Sequence, residues 1–385
     1  MKYRCSAIAL LFVAFLLSSC VSPPSDMRSA EEILSAMSIE EKVAQLFVIC
    51  PEQLDKAFTP EDAQLPYDAR RVRLSVEMKK TLKDYPVGGF IFFGKNIENK
   101  AQLKKLTSDL SKACAISPIL AVDEEGGRVA RLAKTESLGI ENLEPMEAIG
   151  ESGDVGEAWN AGAYIGGYLR EYGFTMNFAP VADVNTNPQN IVIGSRSFGS
   201  EPVLVSQMDA AFLAGLHSQG IKGCLKHFPG HGDTKGDTHD DYVAVTKTWE
   251  EILDCELVPF RENFVRADSV MVAHVTFTDV DSSYPASLSK SLITEKLRGE
   301  LGYDGIVLTD ALNMGAIEKN YGSAEAALLA FEAGNDILLM PYHFFDAYDG
   351  VLKAVNSGRI SEERLNESVM RILRLKGYEQ SFSER

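Results

Sequence analysis

Between Lys226 and Asp241 the sequence reads KHFPGHGDTKGDTHDD, which gathers three of the chain's six histidines and four aspartates on a backbone interrupted by Pro229, Gly230, Gly232 and Gly236. Two chemistries suit such a segment, metal ligation and proton transfer. His227 and His231 have the separation of a zinc-binding helical pair, but Pro229 and Gly230 between them exclude a shared helical face. Asp233 and Asp237 lack the alternation of a calcium loop. A metal would have to be assembled by tertiary convergence. Proton transfer asks less of the chain. In Asp237-Thr238-His239, side chains two apart can share one side of an extended or turn-like segment, so the carboxylate can accept from one imidazole nitrogen while the other trades a proton. An imidazole with an unperturbed pKa of about 6.5 suits general acid/base work near neutral pH. Standing alone, DTHDD would serve equally well as a solvated turn.

It does not stand alone. GIVLTDALNMGAI places Asp310 directly after an apolar, β-prone run. A carboxylate facing a proton donor across a small cavity is the minimum machinery for double-displacement glycoside hydrolysis, although the usual donor is a second carboxylic acid.

Eight β-prone runs recur with helical patterns between them: residues 46–50, 88–93, 118–123, 175–183, 221–227, 269–274, 305–310 and 336–341. SIEEKVAQL opens with a capping-box pair, Ser38 and Glu41, and the helical segments closing at Gly173, Gly220 and Gly334 end as helices commonly do. Apolar strands alternating with helices indicate a parallel sheet covered on both faces, and eight such units predict an α/β fold of the (β/α)8 TIM-barrel class in a single domain, with a helical tail over roughly 345–375. Asp123, Asp183, Lys226 with His227, His274 and Asp310 all end strands, so a barrel would gather them on its carboxyl-end face. Asp183 and His274 are expected to line the pocket or orient its groups, and His231 to brace the PGHG turn. His217 and His343 have no expected role. No dinucleotide or P-loop fingerprint is present.

KHFPGHGDTKGDTH, LTDALNMGAI, AVDEEGGRVARL, FAPVADVN and IGSRSFG together resemble glycoside hydrolase family 3, in particular its bacterial β-N-acetylglucosaminidase branch. The resemblance spans about Met37 to Ala354 and implies a barrel that removes terminal β-linked GlcNAc, from peptidoglycan fragments, with retention and without a metal or organic cofactor. Carried over, Asp310 matches the nucleophile, His239 the acid/base and Asp237 its orienting partner. Asp123, Arg131, Arg196, Lys226 and His227 match positions that hold the sugar. Thr238 stands where serine is common. Alternatives in the same class are phosphate as acceptor, giving a phosphorylase, and relaxed action on β-glucosides. Outside it stand a metal-dependent barrel hydrolase and a lipoprotein that only binds sugar, which would have no reason to keep Asp310, Asp237 and His239 together.

The N-terminus carries a different signal. MKYR is basic, the apolar run from Ala7 to Leu17 is shorter than the about 20 residues a spanning helix needs, and LSSC resembles a bacterial lipobox. The expected division is residues 1–19 as signal peptide, 20–30 as the lipidated Cys20 and a tether, and 31–385 as the catalytic barrel, exported and held to a membrane through the lipid. Cys50, Cys114, Cys224 and Cys255 are too few and too separated for a disulfide scaffold, and the first, second and third read as buried apolar groups. The net charge of −17 excludes a nucleic-acid partner, whose phosphates demand a basic footprint.

Overall fold

The computed structural model describes residues 28–59, 61, 62, 65, 68–235 and 243–378. The signal peptide, Cys20, Asp237 and His239 lie outside the described residues.

Among the described residues ten strands follow in chain order: β1 (Phe47–Ile49), β2 (Gly89–Phe92), β3 (Ile119–Val122), β4 (Met176–Asn177), β5 (Cys224–Phe228), β6 (Val243–Val245), β7 (Ser269–Val272), β8 (Val275–Phe277), β9 (Ile306–Thr309) and β10 (Leu338–Leu339). Eight coincide with the eight predicted runs. All pairings between them are parallel, in the order β10-β1-β2-β3-β4 and β5-β7-β9. Single parallel bridges continue the series, Met176 to Lys222 and Val181 to Lys226 between β4 and β5, and Leu308 to Ile337 between β9 and β10. The eight strands therefore run around a TIM-barrel-like ring with every carboxyl end on one side.

The strands are buried and mostly apolar because both faces of the sheet are covered. Phe47, Phe90, Phe92, Phe178 and Phe228 are fully buried, each contributing about 1.5–3 kcal/mol relative to exposure. β4 is cut short by its own sequence: Pro180 has no amide hydrogen to donate, so only Met176–Asn177 is a regular strand and Val181 rejoins by a bridge. The outer layer starts where the caps predict. Ser38 accepts from the Glu41 amide and Glu41 accepts from the Ser38 amide at 2.8 Å, opening the helix Ile39–Gln45. The predicted tail is two helices, Phe344–Asn356 and Glu362–Leu375, because Gly358 turns the chain at a φ of 75°. The second is fastened by buried Asp336, which pairs with Arg298 at 2.6 Å and Arg371 at 3.4 Å.

Two elements were not predicted. β6 and β8 pair in parallel, Val243 opposite Val275 and Val245 opposite Phe277, beyond the ends of β5 and β7. They are three residues each, too short for periodicity to mark. Cys50 and Cys224 are buried as expected, whereas Cys114 is only partly so, and all four described cysteines are free thiols.

Candidate active site

The carboxyl ends of β3, β5, β7 and β9 bring Asp123, Lys226, His227, His274 and Asp310 to one face, as parallel order requires. How each side chain is aimed is set locally.

Asp123, Glu124 and Glu125 follow β3 directly. The chain then turns at Gly126 and Gly127, with φ of 92° and 55°. A Cβ on Gly127 would lie 2.9 Å from the Pro145 Cα, so both conformation and space demand glycine. Buried Glu124 accepts from the backbone amides of Arg131 (2.6 Å), Leu132 (2.9 Å) and Ala133 (2.9 Å) and from the Tyr168 hydroxyl (2.9 Å). Burial raises its pKa against those donors. Its work is to fold the AVDEEGGRVARL segment back so that the Arg131 guanidinium lies 3.8 Å from Asp123 and 5.2 Å from the Phe93 ring centroid.

In β5 the register shifts: Lys226 pairs with Met271 and Phe228 with Val272, so His227 is skipped. A bulge of this kind breaks the alternation of faces, and Lys226 and His227 can both serve the site. Lys226 Nζ donates to Asp123 Oδ1 at 2.7 Å and lies 2.6 Å from Glu125 Oε1. Arg196, delivered by the IGSRSFG turn, donates through Nε and Nη2 to Glu125 at 2.8 and 2.9 Å. Glu125 is 2% exposed. Its burial would raise its pKa, but Arg196 and Lys226 prevail and hold the carboxyl far below the usual range. Lys226 moves the other way: burial opposes its charge, and Asp123 and Glu125 restore and strengthen it.

Asp183 accepts from the amides of His227 (3.1 Å) and His231 (2.7 Å) and from His227 Nδ1 (2.7 Å). Although fully buried, it is kept ionised by the two imidazoles and these donors. It therefore fixes the His227 ring with Nε2 turned toward Arg196 Nη2, 3.4 Å away. His231 contacts Thr234 Oγ1 at 2.8 Å while Asn190 holds its carbonyl, so it braces the turn as predicted. Burial, with His227 nearby, pushes its pKa down to about 4.

The Asp310 amide donates to Val272 O at 2.9 Å, and its Oδ1 accepts from the Ala311 amide at 2.8 Å. His274 sits between Ser287 Oγ (2.7 Å) and the Ala311 carbonyl (3.0 Å), so it orients the backbone beside Asp310. Beyond β5, Lys247 pairs with Asp233 at 3.2 Å and more closely with buried Glu256, joining the chain before residue 236 to the chain after residue 242. His217 pairs with Asp268 at 2.7 Å on the surface, and His343 is exposed against Tyr342. Among the described residues no group of three or more His, Cys, Asp or Glu side chains is arranged to hold a metal ion.

The structure thus brings Asp123, Arg131, Arg196, Lys226 and His227 into one polar network, with Asp310 on the same face. Glu125 is its hub and was not among the candidates. Its signal was its place two residues beyond Asp123, on the same side of an extended chain. Asp183, expected only to line or orient, proves to be the orienter of His227.

Chemically, this is a largely buried network of fixed opposite charges at the strand ends, on the face that also carries the Asp310 carboxylate. The comparisons with known proteins agree. Residues 38–375 match the family model described as glycosyl hydrolase family 3 N terminal domain. The chain is 34% identical over 337 residues to beta-hexosaminidase A of Pseudoalteromonas piscicida, covering 80% of this chain and 56% of that one. It is 36% identical over 281 residues to a beta-hexosaminidase of Tolumonas auensis, covering 71% and 81%. The structure of a glycoside hydrolase family 3 beta-N-acetylglucosaminidase from Paenibacillus superposes with a TM-score of 0.80 at 39% identity, over 89% of this chain and 62% of that one. This chain therefore spans less than two thirds of two of these relatives. A family model matched over residues 38–375, a span that includes every residue of this network, makes the chain a member of glycosyl hydrolase family 3.

Proposed function

We propose that the chain is a retaining, exo-acting β-N-acetylglucosaminidase that takes terminal β-linked GlcNAc from peptidoglycan fragments. The observation that carries this reading is the buried Asp123–Lys226–Glu125–Arg196 network at the strand ends, on the face that presents Asp310. The names of the relatives give the sugar.

Asp123, Lys226, Arg131 and His227 hold the hydroxyls of the terminal sugar, so its anomeric carbon stands at Asp310. The Asp310 carboxylate attacks that carbon as the His239 imidazolium protonates the glycosidic oxygen; the carbon–oxygen bond breaks and the aglycone leaves as an alcohol. Neutral His239 then takes a proton from water, the hydroxide displaces Asp310, and GlcNAc leaves with its configuration retained. Asp237 orients His239 and stabilises its charged form. Residues 1–19 act as an export signal and Cys20 carries the lipid that holds the enzyme at a membrane. Residues 31–385 form the catalytic unit.

The test is the initial rate on an aryl β-N-acetylglucosaminide and on the matching β-glucoside, for wild type and Asp310→Ala, with EDTA present. The expected result is N-acetylglucosaminide hydrolysis that falls by about 10³-fold or more in the variant, as removal of a covalent nucleophile does. A folded wild type that is silent on this substrate would overturn the reading.

A further inference from the structure

The chain enters the fold on the side of the barrel opposite the site. The helix Glu362–Leu375 lies across the amino ends of the strands, because its partners are residues just before them. Arg364 donates to the Asn335 carbonyl before β10 at 2.7 Å, and Arg371 to Asp304 before β9 at 2.7 Å. Just past the helix, Lys376 donates to Gln45 before β1 at 2.6 Å, and the Tyr378 hydroxyl accepts from the Ser117 amide before β3 at 3.1 Å. The helix Ala30–Ala36 packs on this one, burying Ala30 and Ile33 and placing Glu31 4.0 Å from Arg374. Ser29 opens that first helix through a capping box. The point of entry is therefore the amino-end face.

Cys20 precedes Ser29 by nine positions, and nine residues span at most about 32 Å when fully extended. Along β9, Asp310 is six positions beyond Asp304, about 20 Å higher at the rise of a parallel strand, and the helix below adds about 10 Å. Carrying a lipid from Ser29 to the plane of Asp310 would use nearly the whole tether on a straight run up the side of the barrel. Nothing would remain to turn over the rim, so a lipid on Cys20 cannot bring the site face onto a bilayer.

The amino-end face has a surface that suits one. The turn between the helix Val258–Asn263 and β7 leaves Val265 89% exposed beside exposed Arg266. Phe264, next to them, packs on Tyr303 with ring centroids 4.7 Å apart, and Tyr303 adjoins Asp304, so this turn and the terminal helix share one face. Lys112 and Arg374, near the ends of their helices, are exposed on the same side. Of the acids there, Asp304 is engaged by Arg371 and Asp268 by His217, each at 2.7 Å. With a net charge of −17, most of the chain is repelled by an anionic headgroup layer. A face with exposed cations around an apolar side chain is the one such a layer accepts.

We propose that the amino-end face, formed by Val265, Arg266, Lys112 and the helix Glu362–Leu375, is the surface that the anchored enzyme lays on an anionic phospholipid headgroup layer. This rests on the reading of Cys20 as lipidated. The site then opens away from the bilayer, about 30 Å from the headgroups, onto glycans in the aqueous compartment. Amino sugars linked directly to lipids of the same membrane lie out of its reach.

The experiment uses the full chain, isolated with its lipid and reconstituted on vesicles of phosphatidylethanolamine and phosphatidylglycerol that carry an energy-acceptor dye on their headgroups. A fluorescent amino acid replaces Val265 in one variant and Ile191, 77% exposed on the carboxyl-end side, in another. Mass spectrometry of the N-terminal peptide and flotation with the vesicles test the reading of Cys20 separately, and melting curves establish that each variant folds. Energy transfer at position 265 is expected to exceed that at 191 by about threefold or more, because transfer falls steeply over the about 30 Å between the two faces. Lys112→Glu with Arg266→Glu should lower the transfer at 265 about twofold, as charge reversal at an anionic surface does. Equal transfer at the two positions, or greater transfer at 191, would overturn the proposal. So would transfer at 265 that ignores the charge reversals, which would remove anionic headgroups as the partner. A wild type without lipid on Cys20 would overturn the proposal together with the reading beneath it.

Discussion

Replacing Glu125 by Gln tests whether the sugar-holding cations depend on one buried carboxylate. The side chain keeps its shape and loses its charge. Glu125 contacts Lys226 at 2.6 Å and Arg196 at 2.8 and 2.9 Å, and the Lys226 and Glu125 side chains are each 2% exposed. The variant would leave two buried cations sharing Asp123, which already holds Lys226. Removing one partner of a buried pair costs about 3–5 kcal/mol, against a total stability of about 5–15 kcal/mol for a typical domain. Glu125→Gln should therefore fold, but with a urea midpoint displaced by a large fraction of the wild-type value. The sign with pH follows from the depressed carboxyl pKa. Its stabilisation is present above the unfolded-state value of about 4.3 and is lost as pH falls toward the folded one. The wild type should exceed the variant in full at pH 7, with the gap narrowing below pH 4. Urea titrations at pH 7, 4 and 3 measure this. Curves at pH 7 that differ by less than about 1 kcal/mol would refute the placement of Glu125 as the hub.

Three further outcomes are expected. His231 titrates at about 4 when folded against 6.5 as its ordinary value, so the unfolded chain binds the proton first; about 3 kcal/mol of stability should be lost as pH falls from 6.5 to 4, and His231→Asn should flatten that slope in urea titrations. Asp209 is fully buried with neither carboxyl oxygen hydrogen-bonded, and burial, then Asp183, raises its pKa well above the ordinary value. It weakens the fold increasingly as pH rises above about 4, so Asp209→Asn should raise the melting temperature at pH 7 by about 2–4 °C and have little effect at pH 4. Lys247 joins Asp233 to Glu256 across the two ends of the segment that carries His239, so Lys247→Met should lower kcat at least tenfold while KM changes less than threefold, with partial rescue by Lys247→Arg.

Most of the architecture was readable because it rests on local signals. The eight apolar runs, the Ser38–Glu41 cap and the glycines closing helices each depend on residues close in sequence. Asp123, Lys226, His227 and Asp310 were legible for the same reason, being polar residues at the ends of apolar strands. What escaped depends on three-dimensional convergence. Glu125 and Arg196 are 71 positions apart and Asp183 and His227 are 44 apart. Its place two residues beyond Asp123 puts Glu125 on the same side of the chain, but only the fold brings Lys226 and Arg196 to it. The β6–β8 pair escaped because three residues carry no period, and the shortness of β4 because Pro180 acts only once its neighbours are known.

The mechanism stands on Asp310, and the residue that carries the sugar in the covalent intermediate can be identified directly. The protein would be incubated with a fluorinated N-acetylglucosaminide whose intermediate hydrolyses slowly, then digested, and the modified peptide sequenced by mass spectrometry. One added sugar per chain, on Asp310 within GIVLTDALNMGAI, is the expected result. A sugar carried by another residue, or turnover of the reagent with no labelled peptide at any time, would contradict the mechanism.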